Sequence, residues 1–297
     1  MTIRYKLITQ ILLLILIVCT SIMIGYYYCN KQHKKKLNVV NLSITEAVKT
    51  NLRSKVHLVT YAGGDEVYFR NQNALIYSAI NKGVDLFYAY KRKHLDEDFL
   101  AKNKHILDQK RGAGYWLWKP YFILKTMEKA EENDIILYMD VGYLFNNKAN
   151  NKESIVIEIA NILNNSSEFA LMNGLRADFR RYTKKDLIKY IGMEDFDFGD
   201  YLPESGLIFI KNTPKAREFV KQWLSLSESE QLLTDIPSIN KEDDDFIAHR
   251  HDQSTLGVLF YKDRSCCKII NQLSEDERLI LHRRRVKDHP LKFIESK

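Results

Sequence analysis

Proline and glycine are scarce, at five and twelve of 297 residues, which excludes collagen-like, mucin-like and low-complexity chains. Cysteine is scarcer still, with four. Cys266 and Cys267 are neighbours and Cys19 and Cys29 stand far from them, so no zinc-ligand spacing exists and no structural disulfide framework is expected. Residues 1–36 contain no acid at all, only Arg4, Lys6, Lys31, Lys34, Lys35 and Lys36. With those six set aside from the 45 basic residues, 39 face 38 acidic ones, so all but one unit of the formal charge of +7 belongs to the amino-terminal segment. A nucleic-acid footprint on the remainder is therefore not expected.

Charge is absent from Leu7 to Asn30, and LITQILLLILIVCTSIMIGYYY is overwhelmingly apolar. Its twenty-two residues reach roughly 33 Å as a helix, enough for a hydrocarbon core of about 30 Å. Tyr26, Tyr27 and Tyr28 close the run where aromatic rings favour the membrane interface. The expectation is a transmembrane anchor over 1–30 rather than a cleaved signal peptide, whose apolar region is shorter. Four lysines follow the run, against Arg4, Lys6 and the amino terminus before it. The positive-inside rule then places the following domain in the cytoplasm, with a lumenal, Golgi-like orientation as the alternative. The triplets Asn41-Leu42-Ser43 and Asn164-Asn165-Ser166 would matter as glycosylation acceptors only in the lumen.

Residues 31–54 read as a basic juxtamembrane stalk and 55–297 as one domain. Strands are expected at 56–62, 84–90, 134–140, 168–173, 206–211 and 267–270, and helices at about 70–82, 121–132, 155–163, 216–224 and 252–262. Strands alternating with helices predict an α/β fold with a largely parallel sheet. Such sheets bind ligands at the carboxyl ends of their strands. Two strand ends stand out. Thr60-Tyr61-Ala62-Gly63-Gly64-Asp65 is a polar, pliable turn. Tyr138-Met139-Asp140-Val141-Gly142 exposes an acid that either holds a cation or a ribose, or merely caps a turn.

Arg111-Gly112-Ala113-Gly114-Tyr115-Trp116-Leu117-Trp118-Lys119-Pro120 packs two tryptophans and two cations into ten residues. Aromatic rings stack on bases and sugars, and Arg111 or Lys119 can pair with phosphate, although core packing with solvated cations is the plain alternative. Pro203-Glu204-Ser205-Gly206 precedes a strand, and His249-Arg250-His251-Asp252-Gln253 opens a helix for which Asp252 is a candidate N-cap.

Together, VHLVTYA, RGAGYWLWKPYFIL, DIILYMDVG, ESGLIFIKNT and HRHDQSTL resemble nucleotide-diphospho-sugar transferases of the GT-A type, distantly similar to glycogenin-like enzymes. The resemblance spans about Val56 to Arg284. It implies a Rossmann-like, mixed and mainly parallel sheet that grips a sugar nucleotide, and transfer of its sugar to a glycan or glycoconjugate hydroxyl. Asp140 matches the first acid of the D-x-D that binds manganese or magnesium; Gly142 stands where the second acid would be. Asp252-Gln253 is similar to the D-Q pair placed beside the donor sugar, and His282 to a late metal-ligating histidine. The resemblance implies Asp140 and His282 as metal ligands; the acceptor hydroxyl needs a nearby carboxylate or donor phosphate to take its proton, and Asp252 and Glu204 are the catalytic candidates. Thr60, Tyr61, Arg111, Trp116, Trp118, Lys119 and Gln253 would contact substrate. The expected partners are a nucleotide-diphospho-sugar donor, a glycan acceptor and a membrane. A non-catalytic sugar-nucleotide or glycan-binding membrane protein is the alternative, kept open by Gly142.

Overall fold

The computed structural model describes residues 54–145, 155–172, 178–199, 201–270 and 279–281. The chain divides into units Met1–Arg53 and Ser54–Lys297, and the architecture below is that of the second. Among the described residues, no helix is long and apolar enough to cross a membrane. The run Leu7–Asn30 lies outside them.

The first half runs β1 (Val56–Ala62), α1 (Glu66–Ala79), β2 (Leu86–Lys91), α2 (Glu97–Lys102), α3 (Lys104–Leu107), α4 (Trp118–Met127), β3 (Ile135–Met139) and β4 (Tyr143–Phe145). Then come α5 (Ile155–Ser166), β5 (Phe169–Met172), α6 (Lys185–Tyr190), β6 (Leu207–Lys211), α7 (Pro214–Ser227) and α8 (Glu230–Leu233). The chain continues through α9 (Asp252–Lys262), β7 (Cys267–Ile270) and β8 (Leu279–Leu281). Six strands form one sheet in the order β2-β1-β3-β6-β5-β7. β6 is antiparallel to both its neighbours, and every other pairing is parallel. The sheet is mixed and mainly parallel, as the alternation of elements predicts. β4 and β8 pair separately, with Tyr143 opposite Leu281.

β3 shows why the central strands read as unbroken apolar runs. Ile136 and Tyr138 pack into one core with residues of α4, α7 and α9, while Ile135, Leu137 and Met139 pack into a second with α1 and α5. A strand covered by helices on both faces has no solvent side on which to alternate. The helix ends have local causes. Thr213 caps α7 by accepting from the Ala216 amide at 3.1 Å, ahead of Pro214 at the first helical position. α4 begins at Trp118 and stops at Met127, earlier at both ends than the expected 121–132. The Asn212 amide claims the carbonyls of Met127, Ala130 and Glu131 at 3.0, 3.1 and 2.9 Å, ending the helical ladder there.

Candidate active site

Because β1 and β3 are parallel, Ala62 and Asp140 emerge at the same edge of the sheet. β6 runs the other way, so Pro203–Gly206, which precede it, lie at that edge too; the Asp140 amide donates to the Gly206 carbonyl at 2.8 Å. The starts of α4 and α9 deliver Lys119 and Asp252 to the same place. Asp252 is not the N-cap of α9. His251 holds that position, with φ 52° and ψ −118°, a backbone region that costs a non-glycine residue on the order of 1–3 kcal/mol. Behind it, Trp223 of α7 donates through Nε1 to the Asp252 carbonyl at 3.2 Å and to Thr255 Oγ1 at 3.1 Å.

Lys119 is the centre of the cluster and is 1% exposed. Its Nζ donates to Asp252 Oδ2 at 2.5 Å and to the Ser205 carbonyl at 3.1 Å, and lies 3.5 Å from Asp140 Oδ1. Ser205 Oγ donates to Asp252 Oδ2 at 2.8 Å, and Tyr138 donates to Asp140 Oδ1 at 2.5 Å. Burial opposes the lysine charge, but Asp140, Asp252 and Glu204 outweigh it and hold its pKa above the usual lysine value. Glu204 folds back onto the Gly206 amide at 2.9 Å. A Cβ at position 206 would sit 2.7 Å from Glu204 Oε1 and 2.9 Å from Asp140 Oδ2, so any larger residue there would push both carboxylates aside.

A cleft of about 750 Å³ opens beside this cluster, lined by the turn after β1, by Tyr68, Trp116 and Trp118, and by Asp140–Gly142. Tyr61 stacks on Trp118 with centroids 3.8 Å apart, and burial pushes its hydroxyl up to about 12. Arg92 and Lys110 bring positive charge to the wall. The other wall is a left-handed turn. Gly112, Ala113, Gly114, Tyr115 and Trp116 all have φ between 50° and 103°, which costs each non-glycine member about 1–2 kcal/mol. The turn is held by Trp118 Nε1 on the Gly112 carbonyl at 3.0 Å and by Asp235, which takes Tyr115 at 2.9 Å and Arg111 at 2.8 Å. Trp116 lies over His251, rings 5.5 Å apart. His251 Nδ1 donates to the Leu233 carbonyl at 2.8 Å.

The fold thus brings Tyr61, Trp116, Trp118 and Asp140 to the cleft and gathers Lys119, Asp252 and Glu204 behind Asp140. Gln253 donates to the Pro203 carbonyl at 2.8 Å, bracing the segment that carries Glu204. Thr60 is buried within β1 and does not line the cleft, and Arg111 is bound to Asp235 away from it. His282 lies outside the described residues. Sequence reasoning missed Ser205, Tyr138, Trp223, Arg92 and Lys110. Only Tyr138 carried a usable signal: two residues before Asp140, it shares the same side of the strand path.

Among the described residues no three His, Cys, Asp or Glu side chains converge as a cation site. Asp140 already serves an ammonium and a phenol, and this donor set does not by itself fit a divalent ion.

No family model matches the chain, and no curated protein matches it. Among solved structures it is similar to a glycosyltransferase involved in the glycosylation of the major capsid of PBCV-1, at 12% identity over 82% of this chain and 98% of that one, TM-score 0.45. It is also similar to the galactosyltransferase LgtC in complex with donor and acceptor sugar analogs, at 17% identity over 73% of each chain, TM-score 0.38. A UTP-bound UGPase from Acinetobacter baumannii matches at 8% identity over 82% of this chain and 93% of that one, TM-score 0.40. At these identities and scores the likenesses assign no residue and no reaction to this chain.

Proposed function

We propose that this chain is a GT-A-type glycosyltransferase, which moves a sugar from a nucleotide-diphospho-sugar to a hydroxyl of a glycan or glycoconjugate. The observation that carries this reading is the fully buried Lys119, which ties Asp140 and Asp252 together directly beside an aromatic cleft large enough for a nucleotide. The half-buried Trp116 offers aromatic surface to a base or sugar, with the buried Tyr61–Trp118 stack behind the cleft wall. Lys110, which lines the same cleft, would stabilise the charge of a departing diphosphate, while Arg92 beside it is already paired with Asp108. Lys119 is not assigned to phosphate, since its ammonium is committed to Asp252, Ser205 and Asp140. It fixes the carboxylates instead. Asp252 or Glu204 would position the sugar or take the acceptor proton.

The proposal also places residues 1–30 in a membrane; the full chain should then sediment with membranes after a carbonate wash, and release into the supernatant would refute it.

The test uses the full chain in detergent, thermal-shift screening against a panel of sugar nucleotides with and without manganese, then donor hydrolysis. A stabilising donor that is hydrolysed is the expected result. Asp140→Asn, which removes a charge with little change of shape, should then lose activity by roughly 10²-fold, about 3 kcal/mol of transition-state stabilisation. Wild-type turnover in folded Asp140→Asn would sink the assignment. A donor that binds without hydrolysis or transfer would favour the binding-protein reading, which Gly142 supports.

A further inference from the structure

Successive side chains of a regular strand point to opposite faces, so adjacent cysteines normally hold their sulfurs apart. Here the regularity breaks between them. Cys266 closes the 3₁₀ turn Arg264–Cys266, and Cys267 is the first residue of β7. The two Sγ atoms consequently lie 3.0 Å apart, in mutual hydrogen-bonding contact. Cys266 is buried and its thiol points at the Asp263 carbonyl, 2.9 Å away, while Cys267 is half-buried. The Lys215 ammonium pairs with Asp263 at 3.1 Å and brings positive charge to the same corner.

We propose that Cys266 and Cys267 form a reversible oxidation site, a vicinal dithiol that small-molecule disulfides close to an intrachain disulfide. This inference is independent of the sugar-transfer reading. One thiolate of the pair attacks a sulfur of the small disulfide and expels its first thiolate. The other protein sulfur then attacks the mixed disulfide and expels the second. One S–S bond forms and one breaks. The two protein thiol protons end on the two released small thiols, so the protein is oxidised by two electrons and the disulfide reduced by two.

The hydrogen bond from Cys267 is the largest influence and lowers the Cys266 pKa below the usual thiol value, against burial and the Asp263 charge, while the same bond and burial push the Cys267 thiol up. The lowered Cys266 pKa favours the thiolate that exchange requires. Adjacent Cα atoms are about 3.8 Å apart, below the usual disulfide window of roughly 4.4–6.8 Å. The product is therefore under tension and readily reduced, which suits a labile site and not a structural staple.

Trypsin cleaves after Arg264 and Lys268, so both cysteines fall in the single peptide Ser265–Lys268. The full chain, reduced and then equilibrated with oxidised glutathione, should yield this peptide lighter by two hydrogens, and dithiothreitol should restore its mass. Cys266→Ser and Cys267→Ser should each abolish the closed form. The same treatment in urea should close the pair at least about tenfold less, because unfolding removes the convergence of the sulfurs. A peptide that stays in the dithiol form, that carries two separate glutathiones, or that closes equally well in urea would overturn the proposal.

Discussion

Lys119 is the residue on which the candidate site turns, and its energetics lead to a definite expectation. Removing one partner of a buried ion pair is strongly destabilising, by about 3–5 kcal/mol, because the other charge is left uncompensated. Lys119→Met would strand Asp252, whose carboxylate would be left with the Ser205 hydroxyl and no opposite charge. Asp252→Asn is gentler, since Lys119 keeps Asp140 as a neighbour. Urea unfolding should therefore rank Lys119→Met below Asp252→Asn. The double variant should lie closer to wild type than the two losses added, with a coupling above about 1 kcal/mol. Strict additivity would show that the pair does not interact. This alters what the sequence implies for Asp252. As an N-cap it would tolerate Asn freely, whereas its place in the first turn of α9, paired with a buried ammonium, makes even Asn costly.

At the scale of elements, the left-handed turn from Gly112 to Trp116 sets one wall of the cleft. Gly114 is its least replaceable member: φ is 103°, and an added Cβ would sit 2.7 Å from the Leu107 Cα, where only backbone could yield. Gly199 offers a control, since its φ is also positive, at 68°, but nothing lies within 4 Å of its Cβ position. Gly199→Ala should cost about 1 kcal/mol from backbone conformation alone. Gly114→Ala should cost about 2 kcal/mol or more and, by displacing Trp116, weaken donor binding as well. Equal losses in the two variants, measured by chemical denaturation, would mean that the turn relaxes freely and does not shape the cleft.

Across the whole molecule, two buried histidines make stability depend on pH. Burial, then the neighbouring His251 and Lys184 charges, holds the His249 pKa well below its ordinary value; burial lowers that of His251. His249 accepts from the Lys184 amide at 3.3 Å and donates to the Leu232 carbonyl at 2.9 Å, a pattern that only the neutral ring can make. With the folded pKa depressed, the unfolded chain binds more protons once the pH falls below about 6.5. The stabilisation is thus complete above that pH and lost progressively below it, by up to about 1.4 kcal/mol per pH unit for each histidine. Urea midpoints should fall between pH 7 and 5, and His249→Asn should flatten part of that slope. An unchanged slope would show that His249 takes up its proton alike in the folded and the unfolded chain, and would refute the assignment.

The strands and helices, the two-sided core and the candidate edge of the sheet were legible because they depend on local pattern: apolar runs of strand length, helical spacing, and an acid or glycine pair at a strand end. Trp118, Tyr61 and Asp140 could be singled out for the same reason. The contacts between distant segments could not be read. Lys119 and Asp252 are 133 residues apart in the chain, and nothing in either neighbourhood announces the other. Lys119 could equally have been solvated, and Arg111, in the same block, is turned outward to Asp235. Side chains at adjacent positions take different fates according to which direction a helix start or turn points them. Only the packing of α4, β3, β6 and α9 decides that, since a charge enters the interior only where opposite charges have been brought to meet it.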